Sequence, residues 1–159
     1  MNKEENLYPN YYGANDKKDL LSLYKDGLLD NCSSFEAFCY GNVIKYIVRH
    51  TEKNGINDLN KAKVYLAKIK KSYEDDKQQG KEPEVSINNS KNISEKYNEK
   101  ISMFDKWYTS LFMYEDYYGE IQVIINEVIK SIYEKEPKFI NHIIKDIEIL
   151  IDKELNYEE

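Results

Sequence analysis

The chain reads as an all-α protein: a helical hairpin core followed by a C-terminal helical unit. Three observations predict this. Apolar residues recur at steps of three and four, the period of one helix face. Cap and stop residues bracket those runs. No alternating strand pattern stands out, and there is no internal repeat. The 159 residues are 41% hydrophobic and 33% charged, which supports a packed core rather than wholesale disorder.

Residues 1–15 read as an irregular arm, with Pro9, Asn10, Tyr11, Tyr12 and Gly13 in sequence. Asp16 then suits the cap of a short helix whose apolar side is Leu20, Leu21, Tyr24 and Leu28, with Gly27 near its end. Ser33 followed by Glu36 is a capping box. The helix it opens is expected to run to about Thr51 and to bury Phe35, Phe38, Val43, Ile44, Ile47 and Val48. Lys53-Asn54-Gly55 is a turn, and Gly55 suits the left-handed position after a helix. Asn57 is expected to cap the next helix, whose apolar positions are Leu59, Ala62, Leu66 and Ile69. So short a connection makes the two an antiparallel hairpin.

Residues 74–93 carry Gly80, Pro83 and a long polar run, and read as a linker between residues 1–73 and 94–159. Three helices are expected beyond it. The first holds Tyr97, Ile101, Phe104, Tyr108 and Leu111, with Trp107 beside them. The second holds Ile121, Ile124, Ile125, Val128 and Ile132, and stops before Pro137. The last holds Ile140, Ile143, Ile144, Ile147, Ile151 and Leu155. Their broad stripes imply self-association, with sites between protomers.

A net charge of −6 disfavours nonspecific duplex DNA binding. The charge is uneven: residues 1–72 hold 12 Lys/Arg against 9 Asp/Glu, and residues 73–159 hold 11 against 20. No window approaches the roughly 18 apolar residues of a membrane span. The opening MNKEENLYPN has no apolar run behind its charges, so a cytoplasmic location is expected. Cys32 and Cys39, if on one helix, stand about two turns apart, roughly 10 Å, too far for a disulfide.

The stretch from Phe38 to Leu66 carries a dense motif. Its residues are Gly41, Asn42, Lys45, Tyr46 and Arg49, then Lys53, Asn54, Gly55, Asp58, Leu59, Lys61, Ala62, Tyr65 and Leu66. This resembles the SaV-like family of bacteriophage proteins. Tyr11 and Tyr12 lie where members often carry a His-Tyr pair. The resemblance covers less than half of the chain and implies a phage origin, an infected bacterial host and nucleotide handling. One member sensitises its phage to an abortive-infection system. Another is a deoxynucleoside monophosphate kinase without a phosphate-binding loop.

The motif suggests a ligand-binding set of Asn42, Lys45, Tyr46, Arg49, Lys53, Asp58, Lys61 and Tyr65. Lys45, Arg49 and Lys53 recur every four residues and form one basic stripe, whose mutual repulsion a bound phosphate would offset. Arg49 is the only arginine among 22 lysines. It suits a bidentate phosphate contact or, equally, an ion pair with Asp58 that pins the hairpin. Tyr46 and Tyr65 suit base stacking or core packing. Asn42 can hydrogen-bond a base or sugar, or with Gly41 allow helices to approach closely.

No catalytic residue is assigned. Gly80-Lys81 lacks the rest of a phosphate-binding loop, and Cys32, Cys39, His50 and His142 lack metal-ligand spacing. Asp116, Glu120 and Glu127 on one helix, with Glu148 and Asp152 on the last, can hold Mg²⁺ or simply form a solvated acidic face. No cofactor is expected, apart from Mg²⁺ if the protein is an enzyme. The leading expectation is a phage protein that binds a phosphate-bearing nucleotide, as in sequestration of a host immune signal. The alternatives are a deoxynucleoside monophosphate kinase, and a module that engages a host defence protein.

Overall fold

The computed structural model describes residues 19–52, 54–81 and 90–157, with side chains from Asn92 onward in the last segment. The expected N-terminal arm, the Asp16 cap, Lys53 and Pro83 lie outside the described residues. The described chain is helical throughout: α1 Leu20–Lys25, α2 Ser34–Arg49, α3 Ile56–Gln78, α4 Ser90–Phe112, α5 Tyr118–Glu134 and α6 Pro137–Tyr157. No strand occurs among the described residues, and no helix there is long and apolar enough to cross a membrane.

Asp19 caps α1 by accepting from the Ser22 amide. The face α1 buries is Leu20 and Leu23, and Leu21, expected inside, is 61% exposed. The Ser33–Glu36 capping box forms as predicted and starts α2. In α2 the buried positions are Cys39 and Tyr40, Val43 and Ile44, Ile47 and Val48. Phe35 and Phe38, expected in the core, are 47% and 63% exposed. Each step of four residues turns about 400°, so an apolar stripe drifts around the helix. Extended back from Val43 and Ile44, it falls on Tyr40 and Glu36 rather than on the phenylalanines.

The hairpin turn forms as expected. The Gly55 amide donates to the His50 carbonyl, 2.9 Å, at φ +53°. Gly55 itself precedes the first residue of α3, and no side chain caps that helix, so the expected Asn57 cap is displaced by the turn. Leu59, Ala62, Leu66 and Ile69 are all fully buried.

The stretch expected as linker is partly helical. Residues 74–78 continue α3, and residues 90–93 begin α4. Ion pairs one turn apart, Lys70–Glu74 and Lys71–Asp75, support the solvated end of α3. The two expected units also share one core. Besides α2, α3 packs on α6; α5 contacts α2, α4 and α6. Ile121, Ile124, Ile125, Val128 and Ile132 of α5 and Ile140, Ile143 and Ile147 of α6 join the cluster built by α2 and α3. In α4, Phe104, Trp107, Tyr108 and Phe112 bury, while Tyr97, Ile101 and Leu111 are partly covered. Leu155, near the end of α6, is 49% exposed.

Candidate functional site

The hairpin brings Lys45, Tyr46, Arg49, Lys61 and Tyr65 together. The Tyr46 ring is the centre of this group. The Lys45 ammonium and the Arg49 guanidinium each lie 4.6 Å from the ring centroid, and the Lys61 ammonium lies 5.5 Å away. Cations at these distances are drawn to the ring's negative face. Tyr65 of α3 stacks beside Tyr46 at 6.1 Å, and exposed Phe38 meets Tyr65 edge-on at 5.9 Å. Lys53 lies outside the described residues.

Arg49 and Asp58 face each other. The arginine donates from Nε and Nη2 to the two carboxylate oxygens of Asp58, at 3.1 and 3.2 Å. Asp58 is fully buried and Arg49 nearly so. Lys61 adds a longer contact to the same carboxylate, 3.9 Å. This is the geometry of the hairpin-pinning pair. Asn42 donates its side-chain amide back to the Phe38 carbonyl, 2.8 Å. Gly41 is not a forced close approach, since an added Cβ would sit at an ordinary 3.5 Å from Leu29 and Tyr24.

A second polar centre, not read from the sequence, joins four elements. The Lys135 ammonium donates to the Glu36 carboxylate at 2.5 Å and to the Asn31 carbonyl at 3.0 Å. Tyr73 donates its hydroxyl to Glu36, 2.8 Å. The hydrogen shared by the Tyr40 and Tyr73 hydroxyls, 2.9 Å apart, therefore comes from Tyr40, which accepts in turn from Ser131. The Tyr40 and Tyr73 hydroxyls both point toward Glu36, while the Ser131 hydroxyl also lies 2.7 Å from the Val128 carbonyl. Burial opposes charge on that carboxyl. The Lys135 hydrogen bond and charge outweigh burial, with help from Tyr73 and the Ser33 amide, and hold Glu36 below its ordinary range. Burial pushes the Cys32 thiol up to about 12, with the charge of Glu36 adding to the effect and that of Lys135 opposing it. Asn31, Cys32, Glu36, Tyr73 and Lys135 line a cleft of about 880 Å³ that also exposes Phe35, Lys77 and Lys81. Lys77 is paired with Glu136.

Two histidines find partners far away in sequence. His50 is buried. Its Nδ1 donates to the Ile47 carbonyl, 2.8 Å, and its Nε2 meets Glu154 of α6. His142 lies 3.3 Å from Glu127 and 3.5 Å from Asp146. Burial first, then hydrogen bonding and charge from Asp146, push the Glu127 carboxyl up to about 7, with His142 pulling the other way. The acidic residues read as either a Mg²⁺ set or a solvated face are on the surface, apart from half-buried Glu127. Asp116, Glu120 and Asp152 are exposed, and Glu148 pairs with Lys63. The signal available beforehand was the four-residue spacing of His142 and Asp146, which places both on one helix face.

Residues 7–67 match a family described as a protein of unknown function, DUF3310. The match covers less than half of the chain. It takes in α1, α2, the hairpin turn and the Tyr46 face, and stops within α3. No curated protein and no solved structure matches the chain.

Proposed function

We propose that the chain binds a phosphate-bearing nucleotide on the α2–α3 face centred on Tyr46. The observation that carries this reading is the convergence of Lys45, Arg49 and Lys61 on one aromatic ring, beside Tyr65 and exposed Phe38. Lysine ammoniums supply point charges for phosphate, and flat rings supply stacking area for a base. Arg49 shapes this face rather than gripping the ligand, because its fork is engaged by Asp58. Retention of the ligand without turnover is the form we favour. In the phage setting that the motif's resemblance implies, that amounts to sequestering a host nucleotide signal.

The test is a thermal-shift screen against nucleoside mono-, di- and triphosphates and cyclic dinucleotides. A ligand at 100 times its Kd stabilises the folded state by about 2.7 kcal/mol, a rise of several degrees for a chain of this size. The shift should vanish in a Lys45→Ala/Lys61→Ala double variant and persist in Lys81→Ala. The opposite pattern would move the site to the Glu36–Lys135 cleft. No shift with any nucleotide would overturn the proposal. Mass spectrometry of the recovered ligand separates retention from turnover, and an altered nucleotide would favour the kinase.

A further inference from the structure

The geometry points to a divalent-cation site formed by Glu127, His142 and Asp146, clasping α5 to α6. His142 and Asp146 stand one turn apart on α6, and Glu127 reaches them from α5. One ligand-capable atom of each lies within 4.8 Å of the others, and the imidazole Nε2 is 3.3 and 3.5 Å from the two carboxylates. A tetrahedral ion with bonds of about 2.0–2.1 Å has ligand-to-ligand edges of about 3.3 Å. The histidine edges therefore already have the spacing such an ion imposes.

A second observation points the same way. Glu127 Oε2 is buried and accepts no hydrogen bond from an N–H or O–H donor placed among the described residues. A carboxylate oxygen only accepts, and burying it unsatisfied is costly. With the Asp146 carboxylate beside it, the two carboxyls need a proton or a cation between them. A cation meets both demands, and binding through the imidazole would leave His142 neutral.

The donor set selects the ion. One imidazole and two carboxylates suit a first-row divalent ion such as Zn²⁺ better than Mg²⁺ or Ca²⁺, which favour oxygen alone. Three protein ligands leave one tetrahedral position for water. Access is open, since the His142 side chain is 62% exposed. Asp146 also borders an apolar groove of about 300 Å³ with Val123, Ile124, Ile149 and Leu150.

The experiment is titration of the metal-stripped full chain with Zn²⁺ by calorimetry, with Co²⁺ absorption as a readout of ligand type. The expected result is one saturable ion per chain, with Mg²⁺ binding far more weakly. Its Co²⁺ spectrum should lack thiolate charge transfer, which sets the site apart from Cys32 and Cys39. Losing even an outer partner of a metal ligand costs about tenfold or more in affinity, so His142→Ala and Glu127→Gln should each cost at least that. His142→Ala alters an exposed side chain, and unchanged helical circular dichroism will show that it folds. Absence of saturable binding would mean that a proton alone sits between the carboxylates, and would overturn the site. Full affinity in folded His142→Ala, or a thiolate band in the Co²⁺ spectrum, would overturn it equally.

Discussion

At the scale of single residues, buried charge sets the largest expected effects. Asp58 has no exposed surface, and Arg49 supplies two of its hydrogen bonds. Removing one partner of a buried pair strands the other, at a cost of about 3–5 kcal/mol. Lys61 stands 3.9 Å from Asp58 and is only half exposed, so Arg49→Ala should fall at the low end of that range. Urea unfolding will measure it, and Arg49→Ala/Asp58→Ala should cost less than the two single changes summed. Strict additivity would show that the pair contributes nothing. Glu36 gives a prediction in pH. Its folded-state value lies below the ordinary 4.5, so its contribution is complete above that pH and fades as pH falls through the folded value. Unfolding midpoints measured from neutral pH down through the acid range should therefore decline less steeply in Glu36→Gln than in the parent chain. The sequence singled out Arg49 by its rarity and offered Asp58 as its partner, because both belong to one short hairpin. It offered no partner for His50 or Lys135, whose contacts lie about 100 residues away in the chain. Only the packing of distant helices brings those groups together.

At the scale of elements, local signals were legible wherever local chemistry decides the structure. The Ser33–Glu36 box forms both of its hydrogen bonds, and Ser33→Ala should cost about 1 kcal/mol. Gly55 combines φ +53° with ψ −128°, a backbone region that side chains resist. An added Cβ would meet nothing within 4 Å, so Gly55→Ala isolates the backbone penalty, about 1–3 kcal/mol. Thermal melts of both variants will check this, and a neutral Gly55→Ala would mean that the turn relaxes to another shape. Boundaries and helix faces were harder to read. The polar end of α3 resembles a linker because a solvated helix and a loop share the same composition. Leu21, Phe35 and Phe38 were placed inside on hydrophobicity alone, whereas their exposure depends on which neighbour covers each turn.

At the scale of the whole molecule, the distinction is between two units joined by a linker and one core shared by all helices. Of the isoleucine stripes of α5 and α6, Ile121, Ile124, Ile125, Val128 and Ile132 and Ile140, Ile143 and Ile147 are buried within the chain, Ile144 and Ile151 are partly covered, and Leu155 stays exposed. The N-terminal hairpin therefore completes its core with residues far outside the family-matched segment 7–67. Packing of α3 on α6 and of α2 on α5 ties the halves, as do polar contacts that include the His50–Glu154 bond and the Glu36–Lys135 pair. A fragment of residues 1–81 would expose apolar core residues of α2 and α3 along the faces that α5 and α6 now help to enclose. It would also strand buried His50 and half-buried Glu36 without Glu154 and Lys135. At about 1.5–3 kcal/mol per large apolar side chain returned to water, a few such exposures match the whole stability of an ordinary domain, about 5–15 kcal/mol. The fragment should therefore show no cooperative melt and poor amide dispersion by NMR. The full chain should unfold in one transition with equal calorimetric and van't Hoff enthalpies. A fragment that melts cooperatively by itself, or a full chain that melts in two steps, would restore the two-unit description and make α4 to α6 an appendage rather than half of the core.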